Sequence, residues 1–271
     1  MQMPTTLACV NLKGGVGKTA IAVNFAAYCG REGMRTLLVD CDPQTNATFS
    51  CIRAEDWAEH AKQCGTIASL LGVKGVEGEP KQHNAQTVIR KDVFENVDLV
   101  PSHINLFSVD LDLGGAVGRE LRLRKALKPV LDQYDLVVCD CPPNLTIPTQ
   151  NALATSTHYV VPVTPDYLSI LGVALLTTRI DELCESIDHK IANAGIVVSR
   201  VGRKATHRDN SVASLRERFR KLVLKAELHE RVAVAESAAL QKPVFEMGDE
   251  QASEEFTKMS QELLKRLRAT S

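Results

Sequence analysis

Short apolar runs alternate with longer amphipathic stretches along most of the chain. The apolar runs predict strands at Leu7–Asn11, Thr36–Cys41, Val97–Pro101, Leu136–Asp140, Tyr159–Val163 and Gly195–Ser199. Apolar positions at helical spacing predict helices over 18–30, 119–132, 168–187, 211–225 and 251–268. Strands that alternate with helices predict an α/β fold, with a doubly wound, mostly parallel sheet and helices on both faces.

The segment 52–93 breaks this alternation, and we interpret it as peripheral helix and loop. A chain of 271 residues with 44% hydrophobic content is long enough to bury one α/β core, so we predict a single domain over residues 1–271. The net charge of −1 and the isoelectric point near 6.7 exclude a uniformly basic nucleic-acid binder. Any contact with a polyanion must therefore come from a local patch.

A glycine-rich loop follows the first predicted strand and precedes the first predicted helix. It reads Asn-Leu-Lys-Gly-Gly-Val-Gly-Lys-Thr at 11–19. Its glycines let successive backbone N–H groups converge on an anion, and the helix N-terminus adds positive potential. In a P-loop the lysine reaches the β- and γ-phosphates and the hydroxyl ligates magnesium, which are the positions of Lys18 and Thr19. The predicted nucleotide contacts here are Lys13, Gly14, Gly15, Val16, Gly17, Lys18, Thr19 and Ala20.

Three carboxylates follow predicted strands and can meet this loop, because ligands of parallel sheets lie at the carboxyl ends of the strands. Asp42 is the predicted catalytic carboxylate that orients water towards the γ-phosphorus. Asp40, at the strand end itself, is predicted to support the magnesium shell. Asp140 ends an apolar strand in the Walker B pattern, so we predict that it lies at the same metal site as Thr19.

These motifs together resemble one family. Lys-Gly-Gly-Val-Gly-Lys-Thr at 13–19, Asp-Cys-Asp-Pro-Gln-Thr-Asn at 40–46 and Asp-Cys-Pro-Pro-Asn at 140–144 are similar to the deviant Walker A ATPases of the ParA/MinD superfamily, in its ParA (Soj-like) branch. The similarity extends over almost the whole chain. It implies ATP and Mg²⁺ as cofactors, slow hydrolysis stimulated by a partner, and an ATP-dependent homodimer that sandwiches two nucleotides. Lys13, the extra lysine of the loop, would then act catalytically on the partner's phosphates, beside Lys18 and Asp42.

The chain departs from this family at several positions. Ala20 stands where many members have a second hydroxyl residue, and Asn144 replaces a frequent serine. Ser199 stands where relatives often carry an adenine-reading asparagine, and Glu230 replaces a frequent proline before Arg231. The resemblance places Ser199 and Arg231 among the cofactor-binding residues, and the preference for ATP over GTP rests on it alone.

A basic stripe lies between residues 200 and 225 of this nearly neutral protein. ParA-like dimers bind double-stranded DNA without sequence preference, and a basic patch that contacts phosphates is the physical requirement for this. A solvated helix face is the alternative interpretation of the helix 211–225. The candidate DNA contacts are Arg203, Lys204, Arg208, Arg216, Arg218, Arg220 and Lys221.

The resemblance further implies a ParB-like adaptor or activator as partner and a cytoplasmic, nucleoid-associated location. The rival within the superfamily is a MinD-like regulator that cycles on membranes through a C-terminal helix. The stripe Phe256, Met259, Leu263, Leu264 and Leu267 favours docking against the sheet instead, so we expect no membrane contact. The N-terminus lacks the pattern of a signal peptide.

A third alternative is an electron-transfer ATPase of the nitrogenase iron-protein type, with a cluster bridging two subunits. It would need two exposed cysteines, for which Cys139 and Cys141 are the candidates. The eight cysteines occur in apolar contexts without metal-ligand spacing, which predicts mostly buried, reduced thiols.

Overall fold

The computed structural model describes residues 4–73, 84–202 and 206–269. Its described strands form a single eight-stranded sheet in the order β3-β4-β2-β5-β1-β6-β7-β8. The strands are β1 Thr5–Cys9, β2 Thr36–Asp40, β3 Arg90–Phe94, β4 Val97–Val100, β5 Leu136–Asp140, β6 His158–Val163, β7 Ala192–Val201 and β8 Val223–His229.

All neighbouring strands run parallel except β3, which pairs antiparallel with β4 at one edge. The central strand β1 lies between β5 and β6. The register pairs Cys9 with Asp140, and Asp40 with Asp140. The carboxyl ends of β1, β2 and β5 therefore meet at one edge of the sheet, where such folds bind ligands.

Helices cover both faces of the sheet. The α-helices are α1 Lys18–Arg31, α2 Asn46–Phe49, α3 Ala54–Cys64, α4 Ile67–Leu71, α5 Ala85–Val88, α6 Val109–Asp112, α7 Arg122–Leu127, α8 Ile147–Thr155, α9 Tyr167–Ser186, α10 Thr206–Phe219, α11 Val232–Ala239 and α12 Glu250–Ala269. Short 3₁₀ turns lie at Ile104–Ser108, Arg119–Leu121, Leu131–Gln133, Arg220–Leu222 and Val244–Glu246.

The two faces of the sheet have separate apolar cores. Phe25 of α1 and Phe256 of α12 belong to one core, and Leu153 of α8 and Leu176 of α9 belong to the other. Strand residues alternate between them, so that Val138 joins the first core and Val137 the second. This burial on both sides explains why the parallel strands read as continuous apolar runs.

The six predicted strands are confirmed, although β7 is longer than the Gly195–Ser199 run that predicted it. Two strands were not predicted. The exposed edge strand β3 has the pattern Arg-Lys-Asp-Val-Phe, which carries little apolar signal. The strand β8 occupies the end of the predicted helix 211–225: α10 starts earlier, at Thr206, and ends at Phe219.

The predicted helix 119–132 is also wrong in detail, because it is broken into α7 between two 3₁₀ turns. The predicted docking of the C-terminal helix against the sheet is confirmed. Phe256, Met259, Leu263 and Leu267 of α12 are all buried in the core against the sheet. The apolar stripe that a membrane-binding helix would need is therefore already covered by protein.

Candidate functional site

The glycine-rich loop joins β1 to α1 and holds two glycines in the left-handed region. Gly15 has a φ of 72° and Gly17 a φ of 82°, conformations that side-chain-bearing residues rarely adopt. Gly17 is the N-cap of α1, so the loop and the helix N-terminus present their N–H groups together. The buried Lys18 side chain turns back over the loop, and its Nζ donates to the Lys13 carbonyl oxygen at 3.2 Å. These features define a phosphate-binding loop.

Thr19 and Asp140 meet at the start of α1. The Thr19 hydroxyl donates to Asp140 Oδ2 at 2.7 Å, and Asp140 is fully buried at the end of β5. The other carboxylate oxygen, Oδ1, has no hydrogen-bond partner. Burial, and then the nearby charge of Asp40, raise the pKa of Asp140 well above its usual range. A buried, unpartnered carboxylate oxygen beside a hydroxyl fits the oxygen ligands that Mg²⁺ requires.

Asp40, which we predicted to support the magnesium shell, is hydrogen-bonded to the segment that follows β2. Its Oδ2 accepts hydrogen bonds from the Thr48 N–H (2.8 Å) and the Thr48 hydroxyl (2.7 Å), and its Oδ1 accepts one from the Asp42 N–H (3.1 Å). Three donors therefore fix this carboxyl within the turn after β2. Burial raises the pKa of Asp40 to about 7, although the Thr48 hydrogen bonds oppose the shift. Asp40 therefore holds the turn that carries Asp42, and its support of the magnesium shell stays a prediction.

Asp42 faces the phosphate-binding loop from that turn. Its Oδ1 accepts a hydrogen bond from the Gln44 N–H at 2.9 Å, and its main-chain oxygen accepts one from the Ser102 hydroxyl at 2.7 Å. Burial raises the pKa of Asp42 above its usual value, although the Gln44 hydrogen bond and the nearby Lys18 charge oppose the shift. Asp42 and Lys18 line the same cavity, so the structure brings the predicted catalytic carboxylate to the loop.

That cavity has a volume of about 800 Å³ and is lined by the loop and by residues that follow β2 and β8. Its lining includes Gly14, Thr19 and Asp42 of the phosphate-binding region and the apolar side chains of Phe49, Val234 and Ala238. A cavity lined by both phosphate-binding and apolar groups matches the two parts of a nucleotide.

Of the two predicted base contacts, Arg231 lines this cavity, and Ser199 is committed elsewhere. Arg231 is held by Glu255 (Nη2 to Oε1, 2.6 Å) and Gln251 (Nη1 to Oε1, 2.8 Å) of α12. Ser199 is buried, and its hydroxyl donates to the Val16 carbonyl oxygen at 2.6 Å. The hydroxyl of Ser199 therefore supports the loop, and its assignment to the cofactor-binding residues stays a prediction.

Arg200 also lines this cavity, whereas the sequence placed it only in the basic stripe. Its guanidinium donates to the Gly15 carbonyl oxygen at 2.8 Å and pairs with Glu230 at 2.6 Å, and its backbone has a φ of 52°. A left-handed arginine at a strand end is uncommon and is typical of functional sites. The sequence signal was its position directly after Ser199 at the carboxyl end of a strand.

The Lys13 side chain forms its contacts within its own subunit. Its Nζ lies 2.7 Å from Asp166 Oδ2 and 3.2 Å from Thr164 Oγ1, in the turn between β6 and α9. Burial alone would raise the pKa of Asp166, but the hydrogen bonds from Lys13 and Thr164 lower it overall. Asp166 was not predicted, although a Pro-Asp pair after a strand is a recognisable helix N-cap signal.

The predicted DNA contacts differ in their surroundings. Arg203 and Lys204 lie outside the described residues, as does the side chain of Arg208. Arg216 is tied to β8 by the Leu224 carbonyl oxygen (3.0 Å) and Glu227 (2.7 Å), which gives it a structural role. The guanidinium of Arg218 lies 5.9 Å from the Phe219 ring centre. Arg220 and Lys221 are exposed and border a second cavity, of about 750 Å³.

Seven of the eight cysteines are buried, as predicted, and Cys64 is half-buried. Cys139 and Cys141 are completely inaccessible, so they cannot share a cluster with a second subunit. Within the described ranges, there is no group of three or more His, Cys, Asp or Glu residues that could hold a metal ion. In the same ranges, no helix is both long and apolar enough to cross a membrane.

The fold and the loop define a P-loop nucleotide-binding protein, and comparisons with known proteins identify its family. A family model described as an AAA domain matches residues 4–193. The chromosome-partitioning ATPase Soj of Thermus thermophilus is 34% identical over 239 residues, which cover 88% of this chain and 86% of the relative. The chain therefore belongs to the Soj/ParA family of P-loop ATPases.

Solved structures show the same fold. A variant of Cyanothece McdA in complex with ATP has a TM-score of 0.80 at 18% identity, with 98% of each chain covered. Cobyrinic acid a,c-diamide synthase from Mycobacterium smegmatis, with bound ADP and magnesium, has a TM-score of 0.79 at 24% identity and covers 99% of this chain and 97% of its own. At these identities the likeness concerns the fold alone.

Proposed function

We propose that this protein is a ParA-type partition ATPase. In this proposal it binds ATP with Mg²⁺, closes into a dimer around two nucleotides, and binds double-stranded DNA without sequence preference in that state. A ParB-like adaptor then stimulates slow hydrolysis, and the protein cycles between the cytoplasm and the nucleoid. The observation that carries the proposal is the convergence of Lys18, Thr19, Asp42 and Asp140 on one loop at the carboxyl edge of the sheet.

The phosphates would lie in the loop, because its N–H groups and the α1 N-terminus provide donors and positive potential there. Lys18, which already turns over the loop, would add a cation. Thr19 and Asp140 would hold the magnesium ion, which neutralises phosphate charge when bound. The neighbouring structures with ATP, and with ADP and magnesium, support this choice of cofactors.

Asp42 is the proposed group that orients the attacking water. Its Oδ1 is fixed by the Gln44 N–H, and it lines the cavity together with Lys18. Positioning of water and stabilisation of charge account for most of the catalysis in phosphoryl transfer. Lys13 would supply a further positive charge to the nucleotide of the partner subunit, in the manner of an arginine finger.

The decisive experiment measures dimerisation and DNA binding side by side in three nucleotide states. Sedimentation velocity reports the dimer, and fluorescence anisotropy of a labelled random-sequence duplex reports DNA binding. We expect a dimer and tight DNA binding with ATP and magnesium, and neither with ADP or without nucleotide. Lys18→Ala is the negative control, because it removes the loop cation that is proposed to contact the phosphates and should therefore respond to no nucleotide.

Equal DNA binding in all three states would contradict the proposed switch. A monomer that binds DNA with ATP would contradict the dimer alone. Retention of ATP-dependent dimerisation without any DNA binding would leave a ParA-like ATPase that acts on something other than DNA.

A further inference from the structure

Lys13 forms a compact cluster within its own subunit. Its Nζ contacts both Asp166 Oδ2 (2.7 Å) and Thr164 Oγ1 (3.2 Å), and the Thr164 hydroxyl donates to the same Asp166 oxygen at 2.5 Å. The Lys13 ammonium and the Thr164 hydroxyl therefore both contact one carboxylate oxygen of Asp166. The other oxygen, Asp166 Oδ1, accepts the Ser169 N–H at 3.1 Å and caps the N-terminus of α9.

Hydrogen bonds also join the backbone of the glycine-rich loop to the end of β6. The Lys13 N–H donates to Asn11 Oδ1 at 2.9 Å, and the Asn11 amide donates to the Pro162 carbonyl oxygen at 2.5 Å. These bonds set the start of the Lys13 side chain beside the end of β6, so that the ammonium reaches the turn before α9. Segments that are distant in the sequence thus form a specific set of contacts for the Lys13 side chain.

This contact is accessible and easily released. The side chain of Lys13 is 52% exposed and that of Asp166 is 36% exposed. Ion pairs at such exposure contribute little to stability, because water screens them. The pair can therefore break when a stronger anion, such as a polyphosphate, approaches the ammonium.

We propose that Asp166 competes with the partner's nucleotide for Lys13, and that this competition sets how readily the dimer closes. The inference rests on the proposed function, in which Lys13 reaches across the dimer. In this scheme the ammonium leaves Asp166 when it turns to a phosphate of the other subunit, so closure breaks two such pairs, one in each subunit. Asp166 is a regulatory counter-ion in this scheme and touches no reacting atom.

The test is Asp166→Asn, measured for ATP-dependent dimerisation by sedimentation velocity. Asparagine is as good an N-cap as aspartate, so α9 keeps its cap while the charge is removed. Loss of two weak pairs should lower the dimer dissociation constant roughly two- to thirty-fold. At protein concentrations below the dimer dissociation constant, the variant should also show higher basal ATPase activity than the wild type, because more of it is dimeric. Glu182→Gln is the matched control, because it removes an exposed pair with Arg179 from the same helix.

Thr164→Val provides an independent variant. It keeps the shape of the side chain but removes the hydroxyl that contacts both Lys13 and Asp166, so we expect a smaller change in the same direction. A dissociation constant that is unchanged or increased in Asp166→Asn overturns the proposed competition. An increase would show instead that Asp166 positions Lys13 for the dimer.

A second measurement does not depend on the dimer. Acetylation of lysines by an amine-reactive acetyl ester is followed by mass spectrometry in the nucleotide-free protein. Asp166→Asn should speed the modification of Lys13 and leave Lys258, which pairs with Glu254, unchanged. Unchanged labelling of Lys13 overturns the contact itself. Faster labelling in a protein that never dimerises with ATP overturns the proposed function, and the competition with it.

Discussion

Asp40 and Asp140 are two buried carboxyl groups that face each other in register on β2 and β5. Burial raises the pKa of both, and the charge of Asp40 raises that of Asp140 further. A carboxyl group held in its neutral form avoids the cost of burying a charge, whereas the same group in the unfolded chain ionises at ordinary pH. The site should therefore make the stability of the nucleotide-free protein depend on pH.

We predict that stability falls between about pH 4 and pH 7 because of Asp40. Its pKa is about 7 in the folded protein against 3.8 in the unfolded chain. Below 3.8 both states hold the proton, and between the two values only the unfolded state releases it, so unfolding becomes more favourable as the pH rises. The loss levels off above about pH 7, at roughly 4 kcal/mol.

Urea unfolding of the nucleotide-free protein from about pH 4.5 to about pH 8 checks this slope. Asp40→Asn should make the slope shallower by the share of Asp40 and leave the share of Asp140, because asparagine does not titrate. The loss of the hydrogen bonds from Thr48 should also lower stability at every pH. Asp135→Asn is the control, since the Arg35 hydrogen bond lowers the pKa of Asp135 and moves its titration below this range. Parallel curves for the wild type and Asp40→Asn would show that Asp40 is ionised in the folded protein.

Residue chemistry explains which parts of the site the sequence could predict. Lys18, Thr19 and Asp140 lie in motifs whose spacing reflects their common target, and the structure brings them together. Asp40 and Ser199 have partners that no local pattern reveals, since Thr48 and Val16 meet them only through the fold. Asp166 and Lys13 are 153 positions apart in the chain, so their contact is likewise invisible in the sequence.

At the level of elements, α10 and β8 form the basic region of the molecule. Arg216 fastens the helix to the strand through Glu227, and Arg266 of α12 donates to the Leu222 carbonyl oxygen at 2.9 Å. These two arginines have structural partners. Arg220, Lys221 and Lys225 are exposed along the same cavity, and within the described part of the chain they form no salt bridge. Free cations are what a phosphate backbone requires.

We predict that Arg220→Gln with Lys221→Gln weakens DNA binding by the ATP-bound protein without loss of stability. If both side chains bind phosphates, the slope of log affinity against log salt should become shallower by about 0.9 for each phosphate that is no longer neutralised. Fluorescence anisotropy at several salt concentrations measures this slope. Lys258→Gln, which removes a single positive charge from α12, is the control.

Arg216→Gln should behave differently. It breaks the pair with Glu227 and a bond to a carbonyl oxygen, so it should lower the free energy of unfolding by about 1–2 kcal/mol. An unchanged salt slope in the double variant would place the DNA-binding surface elsewhere on the protein.

The same region shows why element boundaries were harder to predict than element types. Val223–His229 has apolar residues at Val223, Leu224, Ala226 and Leu228, which fit a strand as well as the end of a helix. Tertiary pairing with β7 decides the question. By contrast, the stripe of α12 repeats over a long helix, and long periodic segments are the ones that sequence patterns identify well.

On the scale of the whole molecule, every proposed catalytic group lies on one edge of the sheet. Asp42, Lys18 and the loop line the cavity of their own subunit, whereas Lys13 turns away to Asp166. A lysine in this orientation contributes nothing to the cavity beside it. The proposed sandwich dimer gives it a target, since two such edges face each other across a two-fold axis.

This arrangement makes a prediction that distinguishes action within a subunit from action across the dimer. Lys13→Ala and Asp42→Ala should each bind ATP and each lose hydrolysis. In a mixed dimer, the Lys13→Ala subunit keeps its own Asp42 and receives Lys13 from its partner, so one of the two sites is complete. Equal mixing should therefore restore about a quarter of wild-type turnover, because half of the dimers are mixed and half of their sites are complete.

The test measures phosphate release in a series of mixtures in which the ratio of the two variants is varied. Activity should peak at equal amounts and vanish at both ends, since neither variant alone forms a complete site. A mixture of Asp42→Ala with Lys18→Ala is no substitute, because Lys18 is also needed to bind nucleotide in its own subunit. If Lys13 instead served its own nucleotide, every site in the mixed dimer would lack one of the two groups. Absence of any peak, in mixtures shown by mass to contain mixed dimers, would then assign Lys13 to its own subunit.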